Sequence, residues 1–226
     1  MPIRVAALIP AAGDGRRLRS GGDSGTAPKA LRVLAGETIL QRSADALAPY
    51  VDEIVIAAPA QQLDNLRLRV PGVRLVAVAG GGTRQQSVRS ALAAVSDSIT
   101  WVLVHDAARP LVPADVVRRV LAALAEGAAC VVPAIGAPDS LRQVSPDGSS
   151  APLDRSWVRL VQTPQGFTVG ALRRAHEAAG TDLATDDASL VEAAGEPVRL
   201  VEGDPRAFKI TNPVDLALAE ALLAQG

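Results

Sequence analysis

The chain has 226 residues, of which 48% are apolar and 21% charged, a composition typical of a globular protein that can bury a substantial core. Its net charge of -1 excludes the overall basic field that attracts nucleic acid, so we expect no DNA or RNA partner. A single cysteine excludes an intrachain disulfide, and the two histidines are too far apart in sequence for a zinc motif.

The apolar run from Val5 to Ile9 is too short for a membrane span or for the hydrophobic region of a signal peptide. No other run reaches spanning length, so we expect a cytoplasmic protein without a membrane partner. Cys130 lies in the apolar string GAACVVPAIG, which favours an inert core thiol over a nucleophile or metal ligand.

Short β-branched apolar runs alternate with amphipathic stretches up to residue 134. The apolar runs predict strands at 4–10, 53–59, 73–80, 101–105 and 128–134. The amphipathic stretches predict helices at 38–48, 61–69, 83–95 and 113–125. Continuously apolar strands are typical of a parallel sheet covered on both faces, so we predict an α/β fold with a doubly wound, mostly parallel, Rossmann-like sheet. Ligands bind at the carboxyl ends of such strands, here just after residues 10, 80 and 105.

The pattern changes between residues 136 and 158, where three prolines and a Pro-Asp-Gly turn separate short alternating stretches. This segment predicts a β-hairpin arm that projects from the sheet. A last strand follows at 197–201, and Asn212 with Pro213 predicts the start of a closing helix. With no linker or repeat, we expect a single domain over 1–226.

The glycine-rich segment after the first strand, residues 10–30, reads PAAGDGRRLRSGGDSGTAPKA. It fails the P-loop test because Pro28 and Ala30 flank Lys29, and it lacks the third glycine of the dinucleotide fingerprint. Small residues that let backbone amides approach a ligand, together with mobile cations, nevertheless suit a triphosphate. The alternative is a disordered loop that is basic by chance.

Lysine usage favours a functional loop. The chain has two lysines, Lys29 and Lys209, among 23 cationic residues, so arginine serves wherever a cation only solvates the surface. A compact ammonium on a flexible stem suits charge that develops at a phosphorus atom. We therefore predict that both lysines are functional, with chance survival as the alternative.

Seven segments, in chain order, closely resemble those of the 2-C-methyl-D-erythritol 4-phosphate cytidylyltransferase family. They are PAAGDGRR with PK at 28–29, GGGTRQQSV at 80–88, VLVHDAARP at 102–110, LDR at 153–155, QTPQGF at 162–167, TDDASLVE at 185–192 and VEGDPRAFKIT at 201–211. The resemblance implies an enzyme of the non-mevalonate isoprenoid pathway. It transfers CMP from CTP to methylerythritol phosphate, giving 4-diphosphocytidyl-2-C-methyl-D-erythritol and pyrophosphate.

The resemblance also implies site residues. The triphosphate is expected at Pro10, Ala11, Ala12, Gly13, Arg17 and Lys29, with Arg17 and Lys29 stabilising charge at the α-phosphorus. The cytosine is expected beside Gly81 and Ser87, and the ribose and second substrate beside Asp106, Ala107 and Arg109. Three of these residues could instead have a structural role. Ser87 could be an ordinary serine in the first turn of a helix, and Asp106 could form a buried ion pair with Arg109.

For the methylerythritol phosphate, the resemblance implies Asp106, Arg109, Ser140, Arg155, Thr163, Thr185 and Lys209. Arg155 and Lys209 are expected to hold its phosphate and aim one oxygen at the α-phosphorus. Thr185 could instead be the N-cap of a helix. Such arms cross to a partner subunit in the family, so we expect a homodimer with composite sites.

The resemblance implies a reaction by in-line attack of a phosphate oxygen on the α-phosphorus, catalysed by positioning and charge neutralisation. We expect Mg²⁺ as cofactor, held mainly by the triphosphate, with Asp106 the nearest carboxylate. His105 is expected to hold its loop and not to carry protons.

This sequence departs from the family pattern in three places. The first loop is extended by SGGDSGT, so we expect residues 18–27 to be mobile without nucleotide. Lys29 is followed by Ala-Leu where relatives often have an aromatic residue, and Ser140 replaces the commoner threonine. Two alternatives stay open: a ribitol 5-phosphate cytidylyltransferase, and a non-catalytic nucleotide-binding regulator on the same fold.

Overall fold

The computed structural model of the protein describes residues 3–13, 29–180 and 184–225. Arg17 and the segment 18–27 lie outside the described residues, so their predicted catalytic role and mobility remain predictions.

The described residues form twelve strands and six α-helices. The strands are β1 (Val5–Pro10), β2 (Val33–Leu34), β3 (Glu37–Thr38), β4 (Glu53–Ala58), β5 (Arg74–Ala79), β6 (Trp101–Val104), β7 (Cys130–Gly136), β8 (Leu141–Val144), β9 (Ser150–Leu153), β10 (Arg159–Val161), β11 (Gln165–Thr168) and β12 (Val198–Glu202). The helices are α1 (Ile39–Leu47), α2 (Arg84–Ala93), α3 (Ala114–Ala125), α4 (Val169–Ala179), α5 (Asp187–Ala193) and α6 (Pro213–Ala224).

One mainly parallel sheet forms the centre of the molecule. Its order is β10-β7-β11-β6-β1-β4-β5, and β12 pairs with β7. The pairs of β1 with β4 and β6, of β4 with β5, and of β7 with β12 are parallel, whereas β11 and β10 run antiparallel to their neighbours. The parallel half of the sheet therefore brings the carboxyl ends of β1, β4, β5 and β6 to one edge, as predicted.

Both faces of the sheet are covered, because alternate residues of each buried strand point in opposite directions. From β1, Ala7 and Ile9 pack with α1 and α3 in one core cluster. Ala6 and Leu8 pack with α2, α4 and α5 in the other. The doubly wound α/β prediction is confirmed. Cys130 is buried in the second cluster, and burial raises the pKa of its thiol to about 12.

Helix starts follow from capping chemistry. Thr83 Oγ1 accepts a hydrogen bond from the Gln86 backbone amide, and the Gln86 side-chain oxygen accepts one from the Thr83 backbone amide, which makes a capping box at the start of α2. Asn212 caps α6 in the same way, with Pro213 as the first helical residue, as predicted.

Three predictions about secondary structure are wrong or incomplete. The helix predicted at 61–69 is a short 3₁₀ helix, Ala60–Asn65, followed by extended chain. There Leu66, Leu68 and Val70 are partly or fully buried, and the residues between them are exposed. This period of two is that of extended chain and excludes a helix. The antiparallel strands β10 and β11 and helix α4 were not predicted, and the N-cap of α5 is Asp186 rather than Thr185.

The predicted arm contains the antiparallel pair β8–β9. Its turn uses Gly148 at a φ of 83°, a conformation that favours glycine, and Asp147 accepts a hydrogen bond from the Ser149 amide. The arm exposes large apolar side chains, among them Val144 at 68% and, just beyond β9, Trp157 at 87%. None of the described helices has the length and apolar character needed to cross a bilayer.

Candidate active site

A cavity of about 250 Å³ opens where β1, β5 and β6 end. Its lining is Pro10, Ala11, Ala12, Gly13, Lys29, Ala30, Gly81, Gly82, Thr83, Arg84, Ser87, Asp106, Ala107, Ala108 and Lys209. The three segments that the sequence analysis selected by strand position therefore meet at one edge. Both lysines of the chain, 180 positions apart in sequence, line the same cavity.

The wall formed by the end of β1 is packed closely against the ends of β4 and β5. The Ala11 amide donates to the Ala57 carbonyl at 2.7 Å, so this amide is used by the sheet and is not directed at a ligand. A Cβ at Gly80 would lie 2.6 Å from Ala12 Cβ and 3.0 Å from Ser87 Oγ. Glycine at position 80 is thus what allows the β1 loop and α2 to approach each other.

The wall formed by the start of α2 has its polar groups already paired. Ser87 Oγ donates to the Thr83 carbonyl at 2.9 Å and accepts from the Gly81 amide at 3.2 Å. The hydroxyl predicted to read the cytosine therefore shapes the 81–83 turn in this structure. A Cβ at Gly81 would lie 2.3 Å from Gln86 Cβ, which explains glycine there.

Asp106 is buried at the bottom of the cavity and meets three cations. Lys209 Nζ lies 2.9 Å from its Oδ2, Arg109 Nε 3.4 Å from the same oxygen, and Arg84 Nε 3.3 Å from its Oδ1. Burial alone would raise the pKa of Asp106, but the charges of Lys209, Arg84 and Arg109 outweigh it and hold this pKa well below the usual carboxyl range. Asp106 is therefore a fixed negative charge that orients the cations around it.

The Asp106 loop is held from behind by His105 and Thr163. The Asp106 amide donates to Thr163 Oγ1 at 3.0 Å, and Thr163 Oγ1 lies 3.0 Å from His105 Nδ1. His105 Nε2 lies 3.2 Å from the Arg109 carbonyl, which only accepts, so Nε2 carries the proton and the Thr163 hydroxyl donates to Nδ1. Burial lowers the pKa of His105 to about 4, consistent with the neutral loop-holding role expected for it.

Two predicted substrate residues are thus engaged by the protein itself. Thr163 is buried behind the Asp106 loop and precedes a cis peptide bond to Pro164. Arg109 donates to the carbonyls of Ala207 and Val161 and pairs with Asp106. Both positions support the site from outside the cavity lining, which favours the structural interpretation of the Asp106–Arg109 pair.

Three other predicted residues do not appear among the described residues that line the cavity. Ser140 and Arg155 are exposed on the arm, where Arg155 donates to the Pro138 carbonyl at 2.7 Å. Thr185 is exposed just before α5, 3.5 Å from the Ser189 hydroxyl. One copy of the chain therefore brings together the nucleotide side of the predicted site without the arm residues.

The described residues contain no cluster of metal-ligating side chains. They contain no group of three or more His, Cys, Asp or Glu side chains that could hold an ion. Asp106, the carboxylate predicted to lie nearest to Mg²⁺, has both oxygens paired with cations. Its geometry suits orientation of lysine and arginine better than metal ligation.

Arg84 was not predicted from the sequence; it lines the cavity and also contacts a second carboxylate, Asp187. Asp187 is completely buried in the first turn of α5 and accepts a hydrogen bond from His176 Nε2 at 3.0 Å. Arg84 stands in the quoted segment GGGTRQQSV, but an arginine in an arginine-rich chain carries no distinctive signal. Its role emerges only from the folded arrangement.

The chain is similar to known proteins over almost its whole length. The family model described as 2-C-methyl-D-erythritol 4-phosphate cytidylyltransferase matches residues 5–225. A protein of that name from Rhodococcus opacus is 46% identical over 225 residues, which cover 98% of this chain and 96% of that protein. Among solved structures, the protein of that name from Thermus thermophilus is 41% identical with a TM-score of 0.81, and the alignment covers 98% and 100% of the two chains. That from Francisella tularensis is 29% identical, also with a TM-score of 0.81, over 96% and 99%.

Proposed function

The chain belongs to the 2-C-methyl-D-erythritol 4-phosphate cytidylyltransferase family and catalyses CTP-dependent cytidylyl transfer to 2-C-methyl-D-erythritol 4-phosphate in isoprenoid biosynthesis, and we propose that the cavity at the carboxyl edge of the sheet is its active site. The observation that carries this proposal is the convergence of both lysines on that cavity. The two lysine ammonium groups can neutralise the negative charge of two polyanionic substrates that meet in the cavity.

The reaction joins a phosphate monoester to a nucleotide. One oxygen of the methylerythritol phosphate attacks the α-phosphorus of CTP in line, a new P–O bond forms, and the bond to the β-phosphate breaks so that pyrophosphate leaves. The attacking oxygen is already an anion, so no general base is needed. The protein supplies positioning and charge neutralisation.

Lys29 and the segment Pro10–Gly13 hold the triphosphate in this proposal, together with Arg17. Lys29 is the first residue of a short 3₁₀ helix, Lys29–Leu31, and it lines the cavity with Gly13. A flexible ammonium there can follow negative charge from the α-phosphorus to the leaving pyrophosphate.

Lys209 binds the phosphate of the second substrate in this proposal. The Ile210 amide donates to the Ala108 carbonyl at 2.9 Å, which fixes the segment carrying Lys209 beside the Asp106 loop. Asp106 Oδ2 then holds the Lys209 ammonium over the cavity. An ammonium has three donors, so Lys209 can keep this contact while it binds a phosphate oxygen.

We propose that Mg²⁺ arrives as part of the substrate, as the complex of CTP with the ion. The triphosphate oxygens are its ligands, since hard oxygen donors suit Mg²⁺ and Asp106, the carboxylate that lines the cavity, is paired with Arg84 and Lys209. Cytoplasm, where CTP is available, is the proposed location.

We further propose a homodimer in which the arm of one subunit completes the site of the other. Exposed Val144, Leu153 and Trp157 on or beside the arm give it an apolar surface suited to a partner. Ser140 and Arg155 lie on the same arm, outside the cavity of their own chain. A second copy could thus supply the arginine that grips the substrate phosphate.

Pyrophosphate release tests the proposed reaction. Purified protein with CTP and Mg²⁺ is given either 2-C-methyl-D-erythritol 4-phosphate or ribitol 5-phosphate at matched concentrations. We expect turnover with the first substrate only. Turnover with ribitol 5-phosphate would reassign the substrate, and CTP binding without turnover on either would favour the nucleotide-binding regulator.

A further inference from the structure

Arg84 connects the cavity to a buried carboxylate–imidazole pair behind it, Asp187 with His176. It is the first residue of α2, and its Nε contacts Asp106 Oδ1 at 3.3 Å while its Nη1 contacts Asp187 Oδ2. A guanidinium is planar and presents donors in a fixed fork, so two carboxylates on different edges determine its orientation. Arg84 is therefore held from α5 on one side and holds Asp106 on the other.

Asp187 is held in turn by α4. Its carboxylate is completely buried, and its Oδ1 accepts from His176 Nε2 at 3.0 Å. His176 is itself buried, and its Nδ1 has no hydrogen-bond partner among the described residues. Asp187 is thus the described partner that fixes the imidazole, and the pair forms a rigid anchor because a buried charge tolerates little displacement from its partners.

The Asp187–His176 pair influences the position of Lys209 through Arg84 and Asp106. Arg84 contacts Oδ1 of the Asp106 carboxylate, which leaves Oδ2 facing Lys209 at 2.9 Å and Arg109 at 3.4 Å. If Arg84 were displaced, the carboxylate could rotate and release the ammonium. The chain of contacts His176–Asp187–Arg84–Asp106–Lys209 spans α4, α5, α2, the loop after β6 and the segment before α6.

We propose that Asp187 and His176 are positioning residues that aim Arg84 and, through Asp106, hold Lys209 in the orientation in which it binds phosphate. Neither residue lines the cavity. The orientation of Lys209 stands on the geometry alone, whereas its consequence for turnover rests on the proposed function.

The test uses the fact that the chain has two lysines. Reductive methylation with ¹³C-formaldehyde labels Lys29, Lys209 and the N-terminus, and the signal lost in Lys209→Arg identifies Lys209 in NMR spectra of the ligand-free protein. We expect Asp187→Asn and His176→Leu to shift this signal in the direction seen with Asp106→Asn. His176→Gln, whose amide can donate the same hydrogen bond, should restore the wild-type position.

Glu53→Gln is the matched control. Glu53 is a buried carboxylate at the start of β4, paired with Arg74 at 2.8 Å, and it lies at the opposite end of the strands from the cavity. Its substitution should lower the melting temperature as Asp187→Asn does and leave the Lys209 signal in place. Equal melting shifts in the two variants with an unmoved Lys209 signal in both would overturn the proposal.

Kinetics then separate positioning from folding. We expect Asp187→Asn to lower kcat/KM for the methylerythritol phosphate by about tenfold, mainly through KM, with an unchanged KM for CTP. Unchanged kinetics in a variant whose Lys209 signal has moved would overturn the functional part. Absence of turnover in the wild type would count against the proposed function, while the NMR result would still decide the positioning of Lys209.

Discussion

Asp106 shows how single residues set the character of the site. Its carboxylate is buried among three cations, and its backbone amide is fixed by the Thr163 hydroxyl, which in turn bonds to His105. A buried carboxylate with several charge-assisted partners stays ionised and stays in place. The cations that we propose neutralise the substrates are thus oriented by the protein's own contacts.

The neutral state of His105 predicts a pH dependence of stability. Its pKa is about 4 in the folded protein and 6.5 in the unfolded chain, so the unfolded chain binds the extra proton between these values. Stability is fully present above pH 6.5 and is lost as pH falls toward 4, by about 3 kcal/mol. Urea unfolding at intervals across this window should show the loss.

The control for this prediction is His105→Gln, which has no titrating ring. Its free energy of unfolding should change less steeply between pH 6.5 and 4 than that of the wild type. Parallel slopes for the two proteins would contradict the prediction. The lowered pKa of Asp106 acts in a lower window, because its contribution is lost only as pH falls below the ordinary carboxyl range.

At the scale of elements, the start of α5 distinguishes a helix-capping residue from one that we propose binds substrate. Asp186 accepts from the Ser189 amide at 3.0 Å and is the N-cap, whereas Thr185 has an exposed side chain. Asp186→Ala should lower the free energy of unfolding by about 1 kcal/mol. Thr185→Ala should leave stability unchanged and raise KM for the methylerythritol phosphate; an equal loss of stability in both variants would contradict the assignment.

Elements that form through local interactions could be predicted from the sequence, and elements that depend on long-range packing could not. The buried parallel strands and the capped starts of α2 and α6 depend on local patterns that the sequence displays. Strand β11 has no such local pattern, because tertiary packing places it antiparallel between β6 and β7. Its contact with α3 is close: a Cβ at Gly166 would lie 2.5 Å from Val120 Cγ1. The helix predicted at 61–69 was wrong because Leu63 and Leu66 have helical spacing, whereas Leu66, Leu68 and Val70 follow a period of two.

The same limit applies to the site. Segments at the ends of β1, β5 and β6 were predictable because parallel strands share an edge, and the rarity of lysine identified Lys29 and Lys209. The partners of Arg84 were not predictable, because Asp106 and Asp187 come from distant parts of the chain. The internal bonding of Ser87, Thr163 and Arg109 likewise depends on contacts that only the fold creates.

At the scale of the whole molecule, the arm predicts assembly. Trp157 is 87% exposed beside the arm, so Trp157→Glu should shift the protein from dimer to monomer in sedimentation velocity and reduce activity.

A mixture of Arg155→Ala and Lys209→Ala subunits tests whether the sites are composite. If they are and the subunits exchange freely, the mixture should regain about a quarter of the wild-type activity, because each mixed dimer has one intact site. A wild-type monomer with full turnover would contradict the composite site.

The most direct test of the account is pyrophosphate release from CTP and 2-C-methyl-D-erythritol 4-phosphate by Lys29→Ala and Lys209→Ala, compared with wild type and with Arg118→Ala, an exposed cation on α3. We predict that each lysine variant loses about 10²- to 10³-fold in turnover while its unfolding midpoint changes little, and that Arg118→Ala keeps its activity. Turnover near the wild-type rate in both folded lysine variants would contradict the assignment of the cavity as the active site.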